Sequence, residues 1–310
     1  MIYRSWLVVP ANNEKRLGRA ADAGADAVVV DLVESDPLAS RTAARQRAAE
    51  WLEAHGRSGA DGASARWVRI NPLDNGAEWR QDLLAVVNAA PDGVILPRAA
   101  GPEAVRQLAA DLYEIEQRAQ VPANSTRIIP MVGDTAQAAL TIGQYVQSGH
   151  QRIAGMGWSP AELALGIGAT RMRGEDGVLA ETFRFVRAQA LLTAHACGFP
   201  AIDTMPDGAA EGSDIEQAAR TARGDGFSAM FAYHAEQVAA INEVFTPSDA
   251  ELQQARAIVA ALDSKPAGTS LDYGGRVIGG AHLKLARRTL GLESAGAQET
   301  AQAPSILRPA

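Results

Sequence analysis

The chain has 310 residues, of which 47% are hydrophobic and 21% charged, an ordinary globular composition that excludes a fully disordered protein. Its 29 basic and 36 acidic residues give a net charge of −7, so bulk charge does not favour a nucleic-acid partner. The single cysteine, Cys197, excludes an internal disulfide. No run approaches the roughly 20 apolar residues of a membrane span. We expect a soluble, cytoplasmic protein without a membrane partner.

Short apolar runs alternate with longer stretches of helical periodicity, which is typical of parallel strands joined by helices. The strands are predicted over residues 6–9, 27–32, 67–70, 93–96, 127–131, 152–155, 201–203 and 228–231. The helices between them are predicted over residues 14–23, 42–55, 102–119, 135–147, 179–196, 214–223 and 235–245. Eight such units predict a (β/α)₈ TIM barrel over residues 1–247. A doubly wound open sheet is the alternative, because the sixth and seventh runs are short and contain few β-branched residues.

Residues 248–292 predict a small C-terminal appendage made of helices and a hairpin. Ser248 is a suitable N-cap for a helix that ends near Leu262, residues 270–278 predict a tight hairpin, and residues 282–290 a basic helix. The appendage is too small to fold alone, so we expect it to pack on the barrel or on a neighbouring subunit. Residues 293–310 are expected to form a mobile tail, and the Gly- and Ser-rich residues 56–65 a flexible surface insertion.

In a barrel of this kind the active site forms at the carboxyl ends of the strands. The sequence places polar residues at or just after the ends of seven predicted strands, from the second to the eighth in order: Asp31 and Glu34; Arg69 and Asn71; Arg98; Asp134; Glu162; Asp203; His234. A single Asp at such a junction is more often a helix N-cap than a ligand. Several polar residues at such junctions together indicate a functional site at the carboxyl ends of the strands, which we call the mouth of the barrel.

Asp134 and Glu162 are the candidate ligands of a divalent metal, because a hard cation prefers carboxylate oxygens and needs only one or two from the protein. Two purely structural interpretations stay open: Asp134 could be the cap of the helix that begins near Thr135, and Glu162 could be an ordinary acid in the first turn of a helix. Arg69 and Arg98 are the candidate substrate-binding residues, since a guanidinium fork suits a carboxylate.

Covalent lysine chemistry is disfavoured. The chain has only Lys15, Lys265 and Lys284, and none follows a predicted barrel strand. If this barrel performs aldol chemistry, a metal must therefore act as the electron sink.

Several motifs match a known family in order and spacing. They are the run from Arg4 to Pro10, residues 23–32, 68–71, 92–97, 129–135 and 242–248, and the late segment 270–278. Over residues 4 to 290 the chain resembles the citrate lyase β-subunit-like (CitE-like) branch of the HpcH/HpaI aldolase/citrate lyase family.

The resemblance implies a TIM barrel, commonly a homo-oligomer (trimer or hexamer), that uses Mg²⁺, with Mn²⁺ as a possible substitute. Such enzymes cleave or form a carbon–carbon bond between a 2-oxo acid and an acyl thioester, often of coenzyme A. The family's arginine falls on Arg69, its metal-binding glutamate on Asp134 and its metal-binding aspartate on Glu162, so the two acids have exchanged lengths. Asp31 or Glu34 would transfer the proton.

Three stretches at the predicted mouth depart from the family, at five positions in all. The family's Asp-Leu-Glu-Asp reads Asp-Leu-Val-Glu over residues 31–34, Leu-Pro-Lys reads Leu-Pro-Arg98, and Ile-His-Pro reads Tyr233-His-Ala235. Arg187 falls on another family arginine, with surface charge as its alternative role. We expect a Mg²⁺-dependent lyase acting on a 2-oxo or 2-hydroxy acid unit, as a citryl-, malyl- or citramalyl-coenzyme A type thioester. The alternative is a catalytically silent barrel that binds an acyl thioester or serves as a partner subunit.

Overall fold

Eight parallel strands form the centre of the molecule in a computed structural model that describes residues 3–33, 38–56, 63–206, 212–266 and 268–292. The strands are β1 (Ser5–Pro10), β2 (Ala27–Asp31), β3 (Ala65–Arg69), β4 (Gly93–Leu96), β5 (Arg127–Pro130), β6 (Met156–Gly157), β7 (Ala201–Thr204) and β8 (Ala229–Ala232). They pair in the order β5-β4-β3-β2-β1-β8-β7-β6, and the bridges Ile128–Ile153 and Met131–Gly157 join β5 to the β6 segment. The ring therefore closes, and the predicted TIM barrel is confirmed over the doubly wound alternative.

Helices follow the strands along the chain. They are α1 (Glu14–Leu17), α2 (Leu38–Ala54), α3 (Glu78–Val86), α4 (Pro102–Arg118), α5 (Ala136–Thr141), α6 (Ala161–Gly166), α7 (Glu181–Ala196), α8 (Gly212–Asp225) and α9 (Glu236–Phe245), with α10 (Asp249–Leu262) and α11 (Gly280–Thr289) beyond the barrel. Short 3₁₀ turns at Ala21–Ala23, Val87–Ala89 and Ile142–Val146 continue α1, α3 and α5. None of the helices in the described ranges has the length and apolar character of a membrane span.

The sixth strand was predicted over residues 152–155, and this position is wrong. The strand is Met156–Gly157, just after the predicted run. Arg152 is instead fully buried in an ion pair with Glu116, and Ile153 forms only an isolated bridge. The apolar run is thus a buried segment that leads into the strand. Because burial alone suggested a strand there, the sixth strand was predicted too early in the chain.

Period-two alternation fills the barrel interior with large side chains. Trp6 packs edge-to-face on Trp67 and Phe231, with ring centroids 5.0 and 6.2 Å apart. Glycine makes room for these rings: a Cβ at Gly93 would lie 2.3 Å from Trp67, and one at Gly157 would lie 2.9 Å from Phe231. The aromatic cluster of Trp6, Trp67 and Phe231 therefore packs inside the barrel, in one core cluster. We expect the inward side chains that follow them along the strands to face the carboxyl ends.

The chain beyond the barrel forms a second compact unit that begins at Thr246. Ser248 and Glu251 form a capping box at the start of α10, as the sequence predicted for Ser248. The predicted hairpin is present as β9 (Leu271–Tyr273) and β10 (Arg276–Ile278). Its small core joins α10, β10 and α11 through Ala255, Ile258, Leu262, Ile278 and Ala286. Residues 293–310 and 57–62, for which mobility was predicted, lie outside the described residues.

Candidate active site

Asp31 and Arg69 occupy matching positions on neighbouring strands. They are register partners at the ends of β2 and β3, and Arg69 Nη1 donates to Asp31 Oδ2 at 3.2 Å. The other carboxylate oxygen of Asp31 accepts the backbone N–H of Val33 at 3.0 Å. Asp31 is buried, whereas the Arg69 side chain remains 19% exposed. The pair therefore presents a fixed guanidinium at the mouth of the barrel.

Glu162 is held between two arginines. Arg69 Nη2 donates to its Oε1 at 2.9 Å, and Arg98 Nε donates to its Oε2 at 2.8 Å. Glu162 lies in the first turn of α6 but is not an ordinary solvated first-turn acid. The structure thus brings one predicted metal ligand together with both predicted substrate-binding residues. A substrate carboxylate must compete with Glu162 for these guanidinium groups.

Asp134 is the most unusual carboxylate of the mouth. It is 2% exposed, its Oδ2 accepts the backbone N–H of Arg98 at 3.1 Å, and its Oδ1 is buried without a hydrogen-bond partner among the described residues. Burial raises the pKa of Asp134 to about 7, although Arg69 opposes that rise. The helix cap is Thr135, whose hydroxyl accepts the N–H of Ala138 at 3.1 Å. Asp134 is therefore not needed to cap α5.

The donor set at this mouth fits a divalent cation. Burying an unpaired carboxylate oxygen is unfavourable, and a bound cation would satisfy it. Three carboxylates (Asp31, Asp134 and Glu162) face two guanidinium groups (Arg69 and Arg98), and the exposed Asp74 lies 3.7 Å from Arg98. Negative charge therefore exceeds positive charge when all of these groups are ionised. The described ranges hold no group of three or more acidic, His or Cys side chains placed for a metal. Two carboxylates suffice for Mg²⁺, which keeps other positions for water and substrate.

Three other predicted positions do not join this cluster. Asp203 faces outward, where it accepts from Trp158 Nε1 at 2.6 Å and from Arg187 Nη2 at 2.7 Å. Asn71 turns towards the buried carboxylate of Asp82, at 2.8 Å, and His234 is exposed. Glu34, a candidate proton-transfer residue, lies outside the described residues.

Arg187 is neither a mouth residue nor a free surface charge. It bridges Asp203 and Asp225, and its guanidinium lies 4.6 Å from the ring centroid of Phe227. These contacts join α7 to β7 and the end of α8. Arg187 therefore holds the outer layer of helices to the barrel.

Two further residues, Thr204 and Tyr233, were given no role from the sequence, although Tyr233 was noted as a departure from the family at the mouth. Their hydroxyls are 2.9 Å apart, and the charges of Arg69, Asp31 and Asp134 all act on the Tyr233 phenol. Tyr233 is two residues beyond Phe231, whose ring fills the barrel, so the alternation of inward and outward positions could have identified it. The polar residues nearest the predicted strand ends were chosen instead. These were Asp203, next to Thr204, and His234, next to Tyr233.

Fold and mouth together define a (β/α)₈-barrel protein with an acid–arginine site at the carboxyl ends of its strands. The family model "HpcH/HpaI aldolase/citrate lyase" matches residues 4–235. The chain belongs to this family, and with it to a class of metal-dependent carbon–carbon lyases.

Relatives with stated activities extend this result. The chain is 28% identical over 300 residues to a (3S)-malyl-CoA thioesterase of Cereibacter sphaeroides, covering 93% of each chain. It is 26% identical over 267 residues to the mitochondrial citramalyl-CoA lyase of Mus musculus, covering 84% of this chain and 76% of that one. The crystal structure of CitE from Mycobacterium tuberculosis with magnesium, acetoacetate and coenzyme A matches with a TM-score of 0.70 and 26% identity, over 94% of this chain and 98% of that one.

Proposed function

We propose that this protein is a Mg²⁺-dependent carbon–carbon lyase for a 2-hydroxy acid unit carried by an acyl-coenzyme A thioester. Citryl-, malyl- and citramalyl-coenzyme A are the candidate substrates. The unpartnered, buried oxygen of Asp134 next to the Glu162–arginine cluster carries the proposal. The citramalyl-CoA lyase relative and the CitE complex with magnesium and coenzyme A support it.

Asp134 and Glu162 would hold the cation, Mg²⁺ or in its place Mn²⁺. When bound, the ion supplies Lewis-acid polarisation of the substrate oxygen next to the carboxylate. Asp134 is prepared for this role because its Oδ1 has no hydrogen bond to lose among the described residues. Glu162 differs, because both of its oxygens accept from arginines.

Arg69 and Arg98 would bind the substrate carboxylate. Each holds Glu162 through a single nitrogen, Arg69 through Nη2 and Arg98 through Nε. While the substrate carboxylate replaces Glu162, Asp31 would keep Arg69 in place by accepting from Nη1, the other terminal nitrogen of Arg69. A planar guanidinium can serve two carboxylates in this way, whereas a lysine ammonium lacks the fixed fork.

Asp31 would act as the base, with Glu34 as the other candidate. The carboxylate takes the proton of the substrate hydroxyl, the C–O bond becomes a carbonyl, and the adjacent carbon–carbon bond breaks. Its electron pair passes to the thioester fragment as an enolate, which then recovers a proton at carbon from the acid. The products are a 2-oxo acid and a shorter acyl thioester.

Turnover assays test this proposal. Purified protein is incubated with Mg²⁺ and each of the three thioesters, and both 2-oxo acid (as a hydrazone) and free thiol are measured. We expect 2-oxo acid without thiol, its loss when the metal is chelated, and its loss in Asp134→Asn. Asp111→Asn is the matched control, since Asp111 pairs with Arg80 on the helical layer. Unchanged lyase activity in Asp134→Asn would contradict the proposed metal site.

The (3S)-malyl-CoA thioesterase relative favours hydrolysis as a second candidate function. Hydrolysis breaks the carbon–sulfur bond and yields thiol without 2-oxo acid, so the same assay separates hydrolysis from carbon–carbon cleavage.

The catalytically silent alternative is motivated by Val33 and the other departures at the mouth. It predicts neither product but retained binding of an acyl thioester. A free 4-hydroxy-2-oxo acid belongs in the same assay, because a free-acid aldolase would cleave it to an enolate that its 2-oxo group stabilises.

The quaternary structure and the location are further parts of the proposal. We infer a homo-oligomer, a trimer or hexamer, with the appendage of residues 248–292 packed on the barrel or on a neighbouring subunit, in the cytoplasm. Light scattering coupled to size-exclusion chromatography tests the subunit number. A monomeric mass at micromolar concentration would contradict it.

A further inference from the structure

Tyr233 lies on the inner wall of the mouth. It is two residues beyond Phe231, whose ring packs on Trp6 inside the barrel, so the alternation of side chains turns Tyr233 inward as well. Its hydroxyl lies 2.9 Å from that of Thr204, at the end of the neighbouring strand β7. The charges of Arg69, Asp31 and Asp134 also act on the pKa of the phenol, in agreement with this inward position.

The backbone of Tyr233 is fixed on both sides. Its N–H donates to the side-chain oxygen of buried Gln237 at 2.8 Å, and its carbonyl accepts from Arg16 Nη2. The N–H of His234 shares the same Gln237 oxygen at 3.2 Å. Such supports hold a side chain in one position before a ligand arrives, as catalytic hydrogen-bond donors require.

The partner of the phenol leaves its proton available. The Thr204 hydroxyl lies 2.9 Å from the Tyr233 hydroxyl, and either group can donate in this pair. When Thr204 donates, the phenol accepts from it and keeps its own O–H for a third group. Burial raises the pKa of Tyr233 more than Thr204 and Arg69 lower it, so the phenol stays protonated at neutral pH.

Arg69 offers a second donor in the same cluster, its Nε–H. The two terminal nitrogens of Arg69 are used by Asp31 and Glu162, but its Nε–H is buried without a hydrogen bond among the described residues. An unsatisfied buried donor is unfavourable until a ligand oxygen accepts from it. When Thr204 donates to the phenol, the cluster holds two proton donors for a ligand, the neutral Tyr233 hydroxyl and the cationic Arg69 Nε–H.

We propose that the Tyr233 hydroxyl and the Nε–H of Arg69 together bind the C2 oxygen of the substrate, the oxygen next to its carboxylate. This inference rests on the proposed function. In thioester cleavage that oxygen passes from hydroxyl through developing alkoxide to carbonyl, and in free-acid aldol cleavage it is the enolate oxygen. In both reactions it carries negative charge in the transition state, where two preorganised donors stabilise it. Tyr233 keeps its proton throughout and is a catalytic residue through this hydrogen bond.

The first test is the Tyr233→Phe variant, which keeps the ring and removes only the hydroxyl. We expect kcat for the cleaved thioester to fall about 100- to 1,000-fold, as for loss of one oxyanion donor. KM should stay within about twofold, because the donor acts mainly on developing charge. Tyr113→Phe, on the exposed face of α4, is the matched control and should leave both constants unchanged. A kcat equal to that of the unmodified protein would overturn the proposal.

The second test does not need turnover. Oxalate, in which a second carboxylate stands where the C2 oxygen would be, is titrated calorimetrically in the presence of Mg²⁺. We expect roughly tenfold weaker binding by Tyr233→Phe, in line with about 1.4 kcal/mol for one hydrogen bond to a charged group. Thr204→Val, which keeps the phenol, should weaken it less. Equal oxalate affinity in the protein and in Tyr233→Phe, or no oxalate binding at all, would overturn the proposal.

The two tests separate the two hypotheses. If the protein cleaves none of the thioesters or free acids, the proposed lyase function fails, while the oxalate comparison still decides the role of Tyr233. If cleavage occurs and Tyr233→Phe matches the protein in both measurements, the lyase function stands and the role of Tyr233 is wrong.

Discussion

The backbone N–H of Arg98 donates a hydrogen bond of 3.1 Å to Oδ2 of Asp134. Arg98 has a φ of 51°, in the left-handed region where a residue with a Cβ costs about 1–2 kcal/mol. The loop after β4 is therefore held in a strained conformation that points its amide at an acid of the next loop. The same residue sends its side chain to Glu162, so Arg98 contacts both candidate metal ligands.

This strain predicts that Arg98→Gly is more stable than Arg98→Ala. Both variants lose the guanidinium, but only glycine adopts the positive φ without a penalty. We expect a difference of about 1 kcal/mol in the free energy of unfolding, measured by urea denaturation. Gln120, with a φ of 56° in another loop, is the matched site for the same pair of variants. The stability difference should recur at Gln120 without any loss of substrate affinity. Equal stability of the Gly and Ala variants at Arg98 would show that its backbone is not strained.

Gly133 predicts a second effect on the same acid. It has a φ of 86°, and an added Cβ would lie 2.4 Å from Cγ1 of Val186 on α7. We expect Gly133→Ala to destabilise the protein by about 1–3 kcal/mol and to weaken Mg²⁺ binding, since Asp134 follows directly. Gly143→Ala, where nothing lies within 4 Å, should be nearly neutral.

A double-mutant cycle identifies the cause of that loss. Val186→Ala removes the clashing methyl groups, so the double variant with Gly133→Ala should lose less stability than the sum of the two single variants. Strict additivity would show that the close contact with Val186 is not the cause.

The exchanged lengths of Asp134 and Glu162 predict compensation. Asp134→Glu lengthens the buried arm and Glu162→Asp shortens the other, so each single variant should weaken Mg²⁺ binding at least about tenfold by displacing one ligand. The double variant restores the family's arrangement and should bind Mg²⁺ more tightly than either single variant. Isothermal titration calorimetry measures all four affinities. A double variant no better than the worse single variant would show that the two acids do not share an ion.

The ion pair of Glu116 and Arg152 predicts a pH effect on stability. Both side chains are buried, and two hydrogen bonds of 2.8 and 2.7 Å join them. Burial raises the pKa of Glu116, but Arg152 and neighbouring N–H groups outweigh this and lower it below its ordinary value of 4.5. Its stabilising contribution is therefore present above about pH 4.5 and is lost as the pH falls through the lowered pKa of the folded state.

Glu116→Gln should accordingly destabilise the protein by about 3–5 kcal/mol at pH 7, since it leaves a buried guanidinium without its partner. The penalty should shrink as the pH falls below the ordinary value of 4.5 and through the lowered pKa of Glu116, where the unmodified protein also loses the charge. Glu114→Gln, in an exposed pair with Arg118, is the control and should cost less than about 1 kcal/mol. A penalty that does not depend on pH would contradict the lowered pKa.

Periodicity was sufficient to predict the barrel, because each strand is a short apolar run and each run is followed by a helix. It failed at the sixth strand, where Ile153 is buried but lies before the two residues that pair as β6. Burial and strand pairing are separate properties, and the apolar pattern reports only the first. Within the appendage, the capping box at Ser248 and the hairpin turn at Gly274 and Gly275 lie where the sequence placed a cap and a turn, because both are local signals.

The mouth was predicted less completely. Asp31, Arg69 and Glu162 do meet, but the pairing of Glu162 with both arginines depends on the distance between loops that are far apart in sequence. Asp203 was misplaced because the direction of a side chain in a strand depends on its register. Tyr233 was noted only as a departure from the family and was given no role, although its inward position follows from that of Phe231.

Trp6 contacts the rings of both Trp67 and Phe231 inside the barrel, so shortening it would leave a cavity that both rings border. Arg69 lies two residues beyond Trp67 along the chain, and Tyr233 lies two residues beyond Phe231. A single change at Trp6, on a third strand, would therefore loosen the floor beneath both residues at once.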